Sequence, residues 1–390
     1  MNETLLLGEI RLQHSISRAE LARTCNLSKP TVSVALANLE RAGLVRASGV
    51  RTGLPGPAAV LYEIDPEARY VLALDVGRQY LRGAIADFSG VVVARSSVKV
   101  GARTGHAQVT ELIALADSLC ARAGIARASI DQSVLGSPGV HDPRRDVLTL
   151  AGKLTGWDAP LLADLRVAFG ASLMIENDVD AAALAEQEHG HGREFESFGF
   201  VSIGTGIGMG LVLGGRLHRG HHGAAGEIGY LPLEHEPSSN ALDARRRGSL
   251  EAAASAAGIV RSARHAGMAG PLSARRVFAA AAGGDERAVL VMAQEATLVA
   301  KAICSVVTVV DPGLIILGGG VGRADGFLEL VAEELAHIAP VLPELRVSAL
   351  GDDAVTDGCL AAGADRVWAA VNAALSDVSQ GGRTPVGIGG

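Results

Sequence analysis

The chain has 390 residues, 48% hydrophobic and 20% charged, with a net charge of −7. That length allows two or three domains around a sizeable core, and 3% aromatics beside 49 glycines points to close packing of small side chains. No apolar run reads as a membrane span, the N-terminus lacks a signal-peptide pattern, and Cys25, Cys120, Cys304 and Cys359 are too scattered for a disulfide framework or a cysteine zinc site, so a cytoplasmic protein is expected.

Charge is uneven along the chain. Residues 1–60 carry seven basic and four acidic groups, a balance of +3, so residues 61–390 sum to −10. A basic head on an acidic body suits a nucleic-acid module joined to a larger sensor. Within the head, Ser17-Arg18-Ala19-Glu20 reads as a capping box that opens a helix to about Thr24 and turns Ala19, Leu21 and Ala22 towards a core. Cys25-Asn26-Leu27 makes a turn. Ser28 then caps a second helix, with Pro30 in its first turn, an apolar stripe at Val32, Ala35, Leu36 and Leu39, and Gly43 at its end. The open face of that helix offers Lys29, Thr31, Ser33, Val34 and Asn38 to a major groove. Strands at Leu44 to Ser48 and Ala59 to Ile64 flank a Gly49–Pro57 loop shaped like a wing, which puts Arg51 near a phosphate or minor groove. Residues 1–66 are therefore expected to form a winged helix-turn-helix that binds double-stranded DNA.

From Tyr70 the pattern alternates strands and helices. Strands are expected at Val71 to Gly77, Leu81 to Asp87, Val91 to Val98 and Ser133 to Gly139, with a helix over Ala107 to Ala123. Leu173 to Asp178 reads as a strand that presents polar groups at its end, and Val179 to Glu188 as the helix after it. A glycine-rich hairpin, Gly204-Thr205-Gly206-Ile207-Gly208-Met209-Gly210, lets backbone N–H groups approach an anion or polyol. His221 to Tyr230 follows with Gly223, Gly226, Gly229 and the carboxylate of Glu227. Ser376 to Gly390 reads as a disordered tail.

These two glycine-rich blocks resemble the signature of the ROK family, which contains sugar kinases and sugar-responsive repressors. The resemblance covers residues 70–375 and extends into the head from about Leu5. It implies an α/β body of two lobes with the actin-like ATPase fold, enclosing a sugar cleft. It assigns Asn177 and Asp178 to sugar hydroxyls, with Asp178 the base in a kinase, and adds Ser137, Pro138, Gly139, Glu227 and Glu251 as sugar contacts. It assigns Asp75, Gly77, Gly204, Thr205, Gly206, Gly318 and Gly319 to the nucleotide side.

Two departures weaken the kinase pattern. The family's first strand ends D-x-G-G-T, whereas Asp75-Val76-Gly77 is followed by Arg78 and Gln79, where side chains replace bare backbone and the phosphate-holding Thr. The family's zinc ligands are missing too: Tyr230 stands at the His position and Ser249 at the last Cys. His218, His221, His222 and His235 match no metal spacing, and Tyr230 is expected to offer its O–H to the sugar. The expectation is a sugar-responsive regulator, a repressor, that acts as a homodimer or homotetramer on an operator and answers to a sugar or sugar phosphate. Neither a metal, nor ATP, nor catalytic activity is expected of it. The alternatives are an active sugar kinase that has kept a DNA-binding head, and a regulator whose body binds a protein.

Overall fold

The computed structural model describes residues 1–51, 59–101, 104–142, 144–149, 157, 159–232 and 248–381. The head begins with a helix the sequence reading did not single out, α1 (Asn2–Gln13), which buries Leu6, Leu7 and Ile10. A two-residue strand, β1 (Ile16–Ser17), leads into α2 (Arg18–Thr24). The capping box is present: Ser17 Oγ accepts from Glu20 N, and Glu20 Oε2 accepts from Ser17 N at 3.0 Å. Leu21 is fully buried and Ala22 packs beside it, but Ala19 lies on the exposed side, against expectation. A helix of seven residues, about two turns, carries only a narrow inward stripe, and Leu21 fills it. Helix α3 (Lys29–Arg41) is capped by Ser28, whose Oγ accepts from Thr31 N at 3.2 Å, and it buries Val32, Ala35, Leu36 and Leu39. Strands β2 (Val45–Arg51) and β3 (Ala59–Ile64) pair antiparallel as a wing, with β1 on the other side of β3. The wing tip, 52–58, lies outside the described residues.

The body holds two five-stranded sheets. The first contains β4 (Tyr70–Val76), β5 (Tyr80–Asp87), β6 (Val92–Lys99), β7 (Ile130–Ser137) and β10 (Met174–Asn177), in the order β10-β7-β4-β5-β6. Helix α4 (Gly105–Ala123) covers it, and a small hairpin, β8 (Val140–Asp142) with β9 (Val147–Thr149), leaves its end. Helix α5 (Ala159–Phe169) precedes β10, and α6 (Asp178–His189) follows it directly. The second sheet contains β11 (Phe198–Ile203), β12 (Ile207–Leu213), β13 (Arg216–Leu217), β14 (Leu314–Gly318) and β15 (Glu344–Val347), in the order β13-β12-β11-β14-β15. Each sheet thus has a first strand with an antiparallel meander on one side and parallel strands on the other. This duplicated order is the two-lobed, actin-like arrangement expected.

The second lobe adds α7 (Ser249–Ala254), α8 (Ala256–His265), α9 (Ala274–Ala282), α10 (Glu286–Val310), α11 (Gly319–Gly322) and α12 (Phe327–Ile338). Helix α10 is long and apolar enough, by length and composition, to cross a membrane, which corrects the reading that no such run exists. Its inner face, from Ala288 through Val299 to Val307, packs in the lobe core with α9 and α12. The last helix, α13 (Ala354–Gly381), returns to the first lobe and packs along α6, β4 and β7. It runs through Ser376 to Gly381, so the expected disordered tail is helical there; residues 382–390 lie outside the described residues.

The head does not fold around a core of its own. Its buried residues form one cluster with Val71, Ala73 and Ala84 of the first sheet and with Val367, Trp368 and Val371 of α13. Trp368 stacks on Phe88 at 4.4 Å between centroids, and the Arg11 guanidinium of α1 lies over the same indole at 4.5 Å.

Candidate functional site

Of the residues expected to form the DNA surface, Lys29 and Val34 on α3 are exposed, and Thr31 and Ser33 are half-buried. Thr31 Oγ1 shares a hydrogen bond of 2.8 Å with Ser28 Oγ. Asn38 does not sit on the open face: its Nδ2 donates to Glu3 Oε1 of α1 at 2.9 Å, and its Oδ1 accepts from Arg41. Two helical turns separate it from Lys29, far enough for α1 to reach it. Arg51 donates to Glu20 Oε1 at 2.6 Å, so its charge is met within the head. The same Glu20 accepts from Ser17 backbone and hydroxyl, and these bonds with Arg51 hold its carboxyl down at about 2.

Residues expected to contact a sugar gather around the start of α6, where Asp178 and Glu227 both act on Asp180. Asn177 ends β10 in register with Ser137 at the end of β7. Its Oδ1 caps α6, accepting from Val179 N at 2.9 Å and Asp180 N at 3.1 Å, while its Nδ2 donates to Gly139 O at 3.1 Å. Both acceptor sites and one of its two donors are therefore spent inside the protein. Asn177 positions the Ser137-Pro138-Gly139 turn and the start of α6, and only one N–H remains for a ligand. This revises its expected role as a full sugar contact. Asp178 follows as the first residue of α6, half-buried. Ser137 is fully buried, and its Oγ has no hydrogen-bond partner among the described residues.

Glu227 and Glu251 are brought close by backbone contact. A Cβ on Gly226 would lie 1.8 Å from Met209 O, and one on Gly248 would lie 2.1 Å from Gly229 O. Only glycine allows both approaches, and both residues sit at positive φ. As a result Tyr230 lies near Glu227 and Glu251, and burial together with these carboxylates raises its phenol. Deeper in the cleft, burial first and then the neighbouring Glu176 push Asp180 up to about 8, with Glu227 and Asp178 adding to it. Asp180 is the third residue of α6, and no sequence motif marked it. Arg219, from the loop after β13, pairs with buried Glu176 of β10 and so ties one lobe to the other.

The nucleotide side is altered beyond Arg78 and Gln79. Buried Asp75, pushed up to about 7 chiefly by desolvation and then by Asp178, lies 3.5 Å from the Arg82 guanidinium. Arg82 Nη1 would be 3.4 Å from a Cβ on Gly77, so a cation packs against the first turn. Arg82 also reaches Asp352 at 3.4 Å, and Arg323, just past Gly318-Gly319-Gly320, reaches Asp352 at 3.0 Å. Gly204-Thr205-Gly206 closes a tight hairpin, with Gly204 N donating to Gly206 O at 2.9 Å. The glycines of both turns are present, yet Asp75, Arg82, Asp352 and Arg323 form a ladder across the space between them. For zinc, Tyr230 and Ser249 supply no nitrogen or thiolate, so the donor set does not fit; His235 lies outside the described residues.

Comparison with known proteins agrees with these features. The ROK family profile matches residues 71–364, and the MarR family profile matches residues 1–52. The chain is 41% identical over 198 residues to the bifunctional enzyme NanE/NanK of Brucella melitensis, covering 50% of this chain and 36% of that protein, so it spans little more than a third of that relative. It is 24% identical over 383 residues to the xylose repressor of Caldicellulosiruptor bescii, covering 93% of this chain and 94% of that protein. A solved ROK family transcriptional regulator, a homologue of the E. coli MLC protein, shares the fold at a TM-score of 0.76 and 21% identity, over 95% of this chain and 98% of that one.

Proposed function

The chain belongs to the ROK family, and from that premise we propose that it is a sugar-responsive DNA-binding transcriptional regulator, a repressor of carbohydrate-related genes. Its MarR-type head reads an operator, two copies of the chain reading two half-sites in the cytoplasm. Its body binds a sugar between the lobes, with Asp178, Glu227 and Glu251 accepting from ring hydroxyls and Tyr230 offering its O–H. Carboxylates suit this work because they accept strongly from hydroxyls. The xylose repressor, aligned over nearly the whole chain, supports the combination of head and body.

One observation carries the reading: the helix that starts at the sugar cluster and the helix that seats the head are packed together. Helix α6 starts at Asp178 and lies along α13, so closely that a Cβ on Gly358 would sit 1.6 Å from Ala181 O. The same α13 carries Trp368 beneath Arg11 of α1. Lobe closure on a sugar therefore moves the support of the head. A sugar that prefers one lobe arrangement shifts operator affinity by that preference, typically about 1–3 kcal/mol.

Phosphoryl transfer is not part of this reading. Arg78 and Gln79, which stand where the family's first turn has glycine and threonine, support that view, because side chains replace the bare backbone that holds a phosphate. The kinase alternative rests on Asp178, held at the start of α6 as a base would be, and on the intact Gly204 hairpin. Fluorescence anisotropy on operator DNA with and without sugars, run beside a sugar-dependent ATP turnover assay, separates the two. A regulator gives a sugar-dependent change in affinity and no turnover; a kinase gives turnover that Asp178→Asn abolishes.

A further inference from the structure

The open face of α3 is centred on apolar residues, not on its polar ones. The buried stripe of the helix is Val32, Ala35, Leu36 and Leu39. At about 100° per residue, the positions directly opposite that stripe are Pro30, Val34, Ala37 and Arg41, and all four are exposed. Thr31 and Asn38 stand to one side, half-buried, and both are engaged: Thr31 Oγ1 with Ser28 Oγ at 2.8 Å, and Asn38 with Glu3 and Arg41. Val34 is the large apolar residue of the open face, 63% exposed. It lies in the second turn, five residues or about 7.5 Å beyond Lys29, and seven residues or about 10 Å before Arg41.

A single exposed valine is common on a protein surface and by itself means little. This one stands where a recognition helix meets DNA. Such a helix seats with the N-terminal part of its exposed face against base edges, so the centre of that face covers a base pair whatever residue occupies it. Valine has neither a donor nor an acceptor. Over guanine, cytosine or adenine it strips water from a base-edge donor or acceptor and returns no hydrogen bond, which costs affinity. The 5-methyl group of thymine is the one apolar group that the major groove displays, and packing valine on it takes apolar surface of both out of water. Pro30 and Ala37, the neighbours along the face, bring no polar side chain that could read a different edge. The face therefore favours a methyl and penalises bare polar edges, and specificity draws on both effects. Lys29 and Arg41 carry their charges on either side of Val34, where they suit phosphates and set the register of the helix without choosing a base.

We propose that Val34 is a specificity-determining residue of the head: it packs on the 5-methyl group of a thymine in the major groove of each half-site, and the protein selects a T·A pair there through this contact. This deepens the DNA-binding reading and rests on it. The test uses the full chain. A pool of DNA duplexes with a randomised centre is selected for binding, and the enriched duplex is remade with each thymine replaced in turn by deoxyuridine, which removes the 5-methyl group and nothing else. Affinity is followed by fluorescence anisotropy at one salt concentration, in the parent and in Val34→Ala. Because Val34 is exposed, that substitution opens no core.

The expected result is that, at one thymine in each half-site, loss of the methyl group weakens the parent by about threefold to fivefold, the worth of one methyl-sized group taken out of water. In Val34→Ala the ratio at the same thymine falls to near one. Two results overturn the inference and leave the DNA-binding reading standing: no thymine shows such a loss in the parent, or Val34→Ala loses as much as the parent does at the same thymine. A pool from which no sequence is enriched removes the DNA-binding reading, and the inference with it.

Discussion

Single residues decide what the cleft does. Asn177 looked like a sugar ligand in the sequence, but its amide spends three of four hydrogen-bonding positions on α6 and Gly139. Asn177→Ala should therefore disturb the cleft even without ligand, whereas Glu227→Ala should leave the fold intact and weaken sugar binding. Thermal unfolding with and without sugar separates the two. A second residue matters for stability alone. Glu295, in the middle of α10, is buried in apolar surroundings, and desolvation pushes it from 4.5 up to about 8. Its Oε1 has no hydrogen-bond partner among the described residues. The folded state holds this proton more tightly than the unfolded chain does. Its contribution is thus fully present below about 4.5, is lost as pH rises, and levels off above about 8. Glu295→Met should raise the unfolding temperature at pH 8, with about 1–3 kcal/mol gained from removing an unsatisfied buried polar group, and little at pH 5. A gain that is equal at both pH values would show that Glu295 is not the titrating group.

At the scale of elements, the head was the most legible part of the chain. Ser17, Glu20, Ser28 and Pro30 act through neighbours a few residues away, so local chemistry reveals them. The strand ends of the body were legible for the same reason, because Asp75, Ser137 and Asn177 each close an apolar run. What the sequence hid depends on contacts between distant segments: α1 against Asn38, Arg82 against Gly77 and Asp352, and α13 beneath the head. Helix α3 is the reading element in the proposed function. Lys29→Ala should reduce the slope of log operator affinity against log salt by about one, and an unchanged slope would place the DNA surface elsewhere. The seat of the head on α13 gives a sharper expectation. Arg11→Ala removes the guanidinium over Trp368 without opening the core. It should retain sugar binding and operator binding but reduce the effect of one on the other. If the sugar effect on operator affinity is the same as in the parent, coupling does not pass through this contact.

At the scale of the whole molecule, two lobes of like topology share a cleft whose two halves have diverged. Glu227 and Glu251, proposed as sugar contacts, are brought to Tyr230 by glycine contacts that admit no side chain. Beside the first turn, Asp75, Arg82, Asp352 and Arg323 form a ladder of ion pairs that links the first sheet to the segment after β15. The head shares its core with the first lobe and α13, so it is not a bead on a string, and a substitution in the cleft can reach it. The central claim is that a ligand in the cleft changes how the head holds DNA. The most direct test is a titration of operator DNA, followed by anisotropy, in the parent chain and in Asp178→Ala, each with and without a sugar that stabilises the parent against heat. The account predicts that the sugar shifts parent affinity by about 5–150-fold, the usual range of coupling between sites, and that Asp178→Ala binds the operator but no longer responds. A variant that still responds as the parent does would contradict it, because the effector would then act from somewhere other than this cleft.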